Sequence, residues 1–220
     1  SSYAYRPGKG HLKCIRRALH ETKIHKDGFH IRCDIDNFFV NINRELLMKR
    51  LRQVIKDESL LHLIDISMSI GSVGKDLKWI ENNKGLPQGA ILSPMLANFY
   101  LNSFDQSVET RNIAYLRYSD DIVLWTDTKE KAESIAESMV EYLAAKMELA
   151  FNEPPVIAPC SDPFEFLGIT ISSTKASISD EKKLELSTCI REIELIKNVP
   201  SNEYLKRIDG INRYYLSALP

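Results

Sequence analysis

The chain has 220 residues, 44% of them hydrophobic, and a formal net charge of −1. This composition supports a folded core and excludes a disordered chain. The sequence contains no apolar run of the roughly 18 residues that a membrane helix needs, and its start lacks a signal-peptide pattern. We therefore predict a cytoplasmic protein without a membrane partner.

Positive charge is concentrated at the start of the chain. Residues 1–32 contain eight Lys or Arg against two acids, which leaves a local net charge of +6. Such a segment is typical of a surface that faces phosphates, although a solvated basic helix has the same composition. The segment opens without Met and reaches a turn at Pro7 and Gly8, so we expect it to be part of a longer protein.

Hydrophobic periodicity predicts five elements in the first half of the chain. They are an amphipathic helix over 10–25, a strand within 29–39, a helix capped by Asn43, a short helix over 58–70, and a loop or hairpin over 71–85.

The second half is predicted to begin with a long helix over 94–109, because Pro94 suits a first helical turn. Strands over 113–118 and 122–126 follow, and then a helix that is capped by Asp127 or Thr128 and runs to Met147. The last predicted elements are a strand near 148–152, a Pro-rich loop, a hairpin formed by FEFLGITIS and KASIS, and helices over about 181–197 and 202–219.

The element order of residues 29–152 is strand, helices, strand, strand, helix, strand. This order predicts an α+β fold, in which a β-α-β-β-α-β unit forms an antiparallel sheet with helices on one face. In such a sheet the first strand, which ends at Asp34, can lie beside the hairpin that carries Asp120 and Asp121.

Asp120 and Asp121 stand side by side between two predicted strands, in the stretch RYSDDIVLW. An Asp pair in a hairpin turn needs no function, because Asp is common in turns. Carboxylates that meet a third acid, however, raise one another's pKa values unless a cation neutralises them. Mg²⁺ suits all-oxygen sites, and two ions roughly 4 Å apart can stabilise both oxygens of a phosphoryl displacement. The pattern therefore indicates nucleotidyl-transfer chemistry.

Four motifs occur in order along the chain: CDIDNFF (33–39), GLPQGAILSPMLANFYLNSFD (85–105), RYSDDIVLW (117–125) and FEFLG (164–168). Together they resemble the palm motifs of reverse transcriptases. The closest likeness is to the bacterial group II intron type and its CRISPR-associated relatives. The opening YAYRPGKG is similar to a fingers motif of that group.

The resemblance implies the palm of a right-hand polymerase, built on a ferredoxin-like β-α-β-β-α-β sheet. It also implies a division of the chain. Residues 1–28 are expected to be partial fingers, residues 29–178 the palm with a fingers-like insertion at about 56–85, and residues 179–220 the start of a helical thumb.

Carried over to this sequence, the resemblance makes Asp34 and Asp120 the ligands that bridge two metal ions. Asp121 becomes the third catalytic carboxylate, and the main-chain carbonyl of Ile35 becomes a further metal contact. The implied cofactor is a pair of Mg²⁺ ions, with Mn²⁺ as a substitute.

The resemblance also assigns substrate contacts, each with a plain structural alternative. Phe39 falls where reverse transcriptases place an aromatic gate against the ribose 2′-hydroxyl, and the alternative is core packing. Gln88 and Gly89 match the loop over the incoming nucleotide and template, and the alternative is a turn that enters a helix. Arg6, together with Lys9, is expected to grip triphosphate or template, and the alternative is a solvated turn.

Phe166, Leu167 and Gly168 match the hairpin that holds the primer in this family, although a half-buried strand has the same pattern. Ser119 stands where the relatives frequently have Ala, a change that we expect to matter little.

Pro154 and Pro155 occupy the region where relatives usually carry a Lys that assists the departure of pyrophosphate. We therefore expect that another group, such as Lys146, replaces it or that turnover is slow. The fingers motifs that normally precede YAYRPGKG are missing from the sequence, which leaves open whether this segment is active alone.

The sequence thus predicts an RNA-directed DNA polymerase that uses an RNA template, a DNA or RNA primer, and dNTPs. The alternative is a catalytically weak module of the same fold that acts as an RNA-binding maturase or scaffold in a mobile-element or defence complex, with intron RNA or CRISPR adaptation proteins as partners. An RNA polymerase on the same palm is disfavoured by the bulky Phe39.

Overall fold

The computed structural model describes residues 1–73, 79–80, 84–174, 176–185 and 188, and of 72–73 and 79–80 it describes the main chain alone. Of the two helices predicted at the C-terminal end, residues 180–185 and 188 are described, and these are helical. The rest of both helices, and with it most of the predicted thumb, lies outside the described residues.

The helices lie close to their predicted positions. They are α1 (His11–Ile24), α2 (Phe38–Asn41), α3 (Arg44–Val54), α4 (Glu58–Ser69), α5 (Ser93–Glu109) and α6 (Lys129–Tyr142), which a π-helical turn (Leu143–Met147) continues. Asn43 caps α3, and Thr128 rather than Asp127 caps α6. The single turn α2 was not predicted. Among the described residues, no helix combines the length and the hydrophobicity that crossing a membrane requires.

The strands are β1 (Phe29–Asp34), β2 (Ser72–Val73), β3 (Trp79–Ile80), β4 (Ala114–Tyr118), β5 (Asp121–Thr126), β6 (Val156–Pro159), β7 (Phe164–Phe166), β8 (Ile169–Ile171) and β9 (Ala176–Ile178). The main sheet has the order β4-β5-β1-β6, and all its neighbouring strands are antiparallel. Helices α3 to α5 lie between β1 and β4 in the chain, and α6 lies between β5 and β6. This is the predicted ferredoxin-like unit. Strands β2 and β3 pair as a separate hairpin.

The last strand of this unit lies later in the chain than predicted. We expected a strand near 148–152, but Phe151 makes only an isolated bridge there. Regular pairing with β1 begins at Val156, in the segment that we expected to be a loop. Pro154 and Pro155 explain the shift, because proline lacks the N–H group that a ladder of strand hydrogen bonds needs.

The predicted hairpin of FEFLGITIS and KASIS is instead the three-stranded sheet β7-β8-β9. Phe166 pairs with Ile169, so the first turn falls at Leu167 and Gly168, inside the segment that we expected to be one strand. Both turn residues have a positive φ, 52° and 76°, as the tightest two-residue hairpins require. The turn was missed because Leu is not a typical turn residue.

Both faces of the main sheet are covered. On one face, Ile122 and Leu124 of β5 pack in a core with α3, α4, α5 and α6. On the opposite face, Val123 and Trp125 pack with α1 and with β7 and β8. One face thus carries the expected layer of helices, and the other is covered by α1 and by the sheet β7-β8-β9, called the small sheet below. Because side chains alternate along a strand, Asp121 belongs to the face of α1 and β7.

Residues 1–3 lie along the outer edge of β4. Ser2 forms a parallel bridge with Arg117. The N–H of Tyr3 donates to the Arg117 carbonyl at 2.8 Å, and the N–H of Arg117 donates to the Ser1 carbonyl at 3.2 Å. This segment therefore occupies hydrogen-bonding groups at the outer edge of β4.

Candidate active site

The two acids that were predicted to meet across the sheet do so. Asp34 is the last residue of β1 and Asp121 is the first residue of β5, and the antiparallel register places them opposite each other. Residues opposed in this way project from the same face, with Cβ atoms about 4.5–5.5 Å apart. Both side chains therefore project from the sheet face on which α1 and β7 pack.

Asp120 lies in the turn between β4 and β5. Tyr118 pairs with Asp121, so Ser119 and Asp120 form the turn. Ser119 has a φ of 62°, which matches the first position of the primed turns that close two-residue hairpins. The structure therefore brings Asp120 next to the pair formed by Asp34 and Asp121. The catalytic role of these three carboxylates stays a prediction.

The carboxylates repel one another. Burial, and then the negative charges of Asp34 and Asp120, raise the pKa of Asp121 to about 7. Burial and the charge of Asp120 likewise raise the pKa of Asp34. The positive charge of the Arg32 guanidinium partly offsets this effect, because it lowers the pKa of Asp121. A divalent cation between the carboxylates would relieve this repulsion.

The donor atoms at the site are of the kind that Mg²⁺ binds, since this ion prefers oxygen ligands and shares them with substrate phosphates. The Asp34 carbonyl accepts the Asn152 N–H at 2.9 Å on the β6 side. Successive carbonyls of a strand point to opposite edges, so the Ile35 carbonyl is directed towards the β5 side.

Within the described residues, no three acidic, histidine or cysteine side chains form a closed metal cage. The carboxylates and the carbonyl therefore fit as part of a coordination shell, which substrate oxygens would complete.

Asp34 and Asp121 line a cleft of about 190 Å³. Its other lining residues come from β1, from the loop before β6, and from β6 and β7: Arg32, Cys33, Asn152, Glu153, Pro154, Val156 and Glu165. The departure from the family pattern at Pro154 therefore falls next to the carboxylates. Lys146, which we expected as a replacement cation, is not among these residues, whereas Arg32 is.

A buried ion pair holds the turn in place, and the sequence interpretation missed it. The fully buried Arg117 donates to the two carboxylate oxygens of Asp105, at 2.7 Å and 2.6 Å. The Tyr115 hydroxyl donates to Asp105 at 2.7 Å, and Arg117 also donates to the Ser119 carbonyl at 2.8 Å. The signal for this pair was an Arg inside a largely apolar strand, with an Asp that follows the apolar residues of α5.

The Gln88 loop lies against Phe39. The Leu86 N–H donates to the Phe39 carbonyl at 2.7 Å, and a Cβ added to Gly85 would lie 2.3 Å from the same oxygen. Gln88 and Gly89 are exposed, and Gly89 has a φ of 88° with open space around it. The structure thus joins two predicted substrate-binding elements, the half-buried Phe39 and an accessible glycine loop. Their roles stay predictions.

The structure does not place Arg6 in the cleft of the carboxylates. Arg6 is exposed and lines a separate cleft of about 390 Å³ beside α5, together with Met95 and Phe99. Lys9 lies over the ring of Tyr3, with its Nζ 4.5 Å from the ring centroid. The predicted grip of Arg6 on triphosphate or template stays a prediction, and any such contact would be made from the α5 side.

Residues 1–171 match the family model described as "Reverse transcriptase (RNA-dependent DNA polymerase)". The chain is 26% identical over 205 residues to "Protein YkfC" of Escherichia coli strain K12, which covers 76% of this chain and 54% of that protein. It is 32% identical over 110 residues to the group II intron-encoded protein LtrA of Lactococcus lactis subsp. cremoris, which covers 49% of this chain and 17% of that protein. The chain thus spans about half the length of the first relative and less of the second.

The fold is similar to that of telomerase from Candida tropicalis, solved in complex with a fragment of telomeric RNA. The TM-score is 0.61 at 13% identity, and the match covers 83% of this chain and 34% of that one. At this identity the likeness concerns the fold alone, and it agrees with the predicted polymerase palm. The similarity to LtrA agrees with the predicted group II intron type, while an association with CRISPR stays a prediction.

We predict that Asp121→Asn stabilises the metal-free protein at alkaline pH. Because the folded pKa of Asp121, about 7, lies above its usual value, the unfolded chain ionises first as the pH rises. The free energy of unfolding therefore falls between about pH 4 and pH 7. Asn removes this loss. Urea denaturation in EDTA at pH 8 should therefore show a free energy of unfolding that is higher than the parent's by about 1–2 kcal/mol, a value reduced because solvent screens the charges.

The matched control is Asp127→Asn, because the Asp127 side chain is 77% exposed. It should change stability little at any pH. A gain for Asp121→Asn that is equal at pH 4 and pH 8 would contradict the prediction.

We also predict that Arg117→Met destabilises the protein by about 3–5 kcal/mol, because it leaves the buried Asp105 carboxylate without its positively charged partner. The double variant Arg117→Met, Asp105→Leu should recover much of this loss, since it removes both charges. Urea denaturation of the single and double variants measures the difference. Equal stability of the two would show that the ion pair is not the interaction lost.

Proposed function

The chain belongs to the reverse transcriptase family, and on that premise we propose that it is an RNA-directed DNA polymerase that adds dNTPs to a primer 3′-hydroxyl along an RNA template. The observation that supports this best is the pairing of Asp34 with Asp121 across β1 and β5, with Asp120 in the adjoining turn. This pairing gathers in one place the acids of two motifs that lie far apart in the chain.

Asp34, Asp120 and Asp121, with the Ile35 carbonyl, would hold two Mg²⁺ ions, for which Mn²⁺ would substitute. When bound, such ions lower the pKa of the attacking hydroxyl and stabilise charge on the attacking and leaving oxygens. The protein's own part is to hold Asp34 and Asp121 on one sheet face, and Asp120 in the turn fixed by the buried Arg117, before substrate arrives.

Phe39 and the Gln88 loop are proposed to form the nucleotide pocket. The hydrogen bond from the Leu86 N–H to the Phe39 carbonyl fixes the distance between these elements. With the main chain of Phe39 held in this way, its ring can exclude a 2′-hydroxyl by its bulk, whereas the open backbone at Gly89 allows a substrate to approach closely. Sugar selectivity would thus come from Phe39, and contact with the base pair from Gln88.

The proposed partners are an RNA template with a DNA or RNA primer, and dNTPs. Phe166, Leu167 and Gly168 are proposed to hold the primer end. The similarity to a group II intron-encoded protein favours intron RNA as a further partner. CRISPR adaptation proteins are the alternative, and the proposed location is the cytoplasm.

A second candidate function is an RNA-binding scaffold of the same fold with weak or no catalysis. Pro154 favours it, because this proline lines the carboxylate cleft in the region where relatives usually carry a Lys. Thermal unfolding with Mg²⁺ and dNTP separates the two candidates. A polymerase should be stabilised by the pair of ligands according to their concentration, whereas a scaffold should not respond.

We predict that Asp120→Asn lowers the rate of primer extension by about 100-fold or more, because a ligand shared by two metal ions is lost. Its melting temperature should stay close to that of the parent, since Asp120 lies in a turn. Extension of a labelled primer on an RNA template measures the rate. Asp162→Asn, at an exposed loop position that does not line the cleft, is the control and should extend normally. Extension by Asp120→Asn at the parental rate would refute the proposed function.

We further predict that Phe39→Ala raises incorporation of ribonucleotides relative to dNTPs by about 10-fold or more, because the steric gate is removed. Competition between rNTP and dNTP at one template position measures the ratio. Phe38→Leu, at the buried neighbouring ring, is the control for disturbed packing. Sugar selectivity that Phe39→Ala leaves unchanged would assign Phe39 to core packing.

A further inference from the structure

Arg32 lies beside the candidate site, in a position to which no role has been assigned. It precedes Asp34 by two residues on β1, so both side chains project from the same face of the sheet. Both also line the 190 Å³ cleft. Among the described residues that line this cleft, Arg32 is the positively charged one, and the others include Asp34, Asp121, Glu153 and Glu165.

The Arg32 guanidinium is directed to the main chain of the small sheet. Its Nη1 donates to the Glu165 carbonyl at 2.9 Å. Glu165 is the central residue of β7, and the turn at Leu167 and Gly168 begins two residues later. One side chain of the carboxylate-bearing strand therefore bonds directly to the hairpin beside the cleft.

Arg32 makes this hydrogen bond without forming an ion pair with the carboxylates of the cleft. Within the described part of the chain, no ion pair of 4.0 Å or less joins Arg32 to Asp34 or Asp121. The oxygens of both acids thus stay available to a cation while a fixed positive charge lies nearby. A guanidinium bonded to a carbonyl is well suited to such a task, because its planar group holds its direction.

We propose that Arg32 is a positioning residue that fixes the β7–β8 hairpin relative to Asp34. This proposal rests on the proposed function, in which a primer end lies on that hairpin. The bond from Arg32 to Glu165 then sets the distance between the primer 3′-hydroxyl and the carboxylates. Rate depends steeply on such a distance, since a displacement of about 1 Å can cost about 100-fold.

The test compares Arg32→Met, Arg32→Lys and the control Arg50→Met. Arg50 also donates to main-chain carbonyls, those of Tyr100 at 2.9 Å and Lys146 at 2.6 Å, but it does not line the cleft. Met keeps the aliphatic stem and removes charge and donors, whereas Lys keeps the charge and a donor. If Arg32→Met fails to fold, Arg32→Gln takes its place in the comparison.

The first measurement is independent of metal and of catalysis. A primer with 2-aminopurine as its 3′-terminal base is annealed to an RNA template and bound to the chain in EDTA. Parent and Arg50→Met should give the same fluorescence at saturation, and Arg32→Met should give a different value. Arg32→Lys should restore the parental value at least in part.

The second measurement separates positioning from folding. Arg32→Met should lower kcat by about 10- to 100-fold while KM for dNTP stays within about threefold, because the reacting groups are displaced and not the nucleotide site. Arg50→Met should lower kcat only in proportion to the loss of folded protein.

Fluorescence and kcat of Arg32→Met that match those of Arg50→Met would overturn the proposal, and so would a chain that does not bind the primer–template. Failure of the proposed function is a different result. In that case the parent does not extend the primer, or Asp120→Asn extends it at the parental rate, whereas the fluorescence in EDTA still reports whether Arg32 holds the hairpin.

Discussion

The candidate site depends on the buried ion pair between Arg117 and Asp105. A guanidinium without solvent is costly to bury, and here two carboxylate oxygens and the Ser119 carbonyl compensate it. The pair ties the hairpin that carries Asp120 and Asp121 to α5, whose 17 residues span about 25 Å. Because the Gln88 loop precedes the same helix, one stiff element carries the proposed nucleotide loop near its start and anchors the carboxylate hairpin near its end.

The two faces of the main sheet have different tasks. The face covered by α3 to α6 is a large apolar core, and it holds the strands in register. The opposite face carries a second core with α1 and the small sheet, and the acids project from the end of that face. The face covered by α3 to α6 therefore holds the strands in register. The face covered by α1 and the β7-β8-β9 sheet accepts polar side chains such as Arg32 at the margin of its core.

Much of the fold and the carboxylate cluster could be predicted from the sequence, because both follow from local patterns. Alternation in β1 and the Asp pair in a short turn indicate the strands, and the order of strands and helices along the chain then allows Asp34 to lie beside Asp121. The position of β6 could not be predicted, since pairing there depends on where two prolines allow a ladder to start. The Arg117–Asp105 ion pair was also not predicted, because tertiary contacts decide whether a charged side chain is buried. The sequence did not indicate which cleft Arg6 lines, since only folding decides towards which cleft a loop turns, and its expected contact with triphosphate or template stays a prediction.

The strand-like segment at residues 1–3 has a consequence for solubility. A sheet that ends in an unpaired strand offers a template on which a second molecule can assemble. At the β4 border this template is already occupied by the molecule's own Ser1 and Tyr3. At the β6 border Pro159 supplies no donor to an incoming strand. Both borders of the sheet that carries the acids therefore offer fewer hydrogen-bonding groups to a second molecule than two unprotected edge strands would.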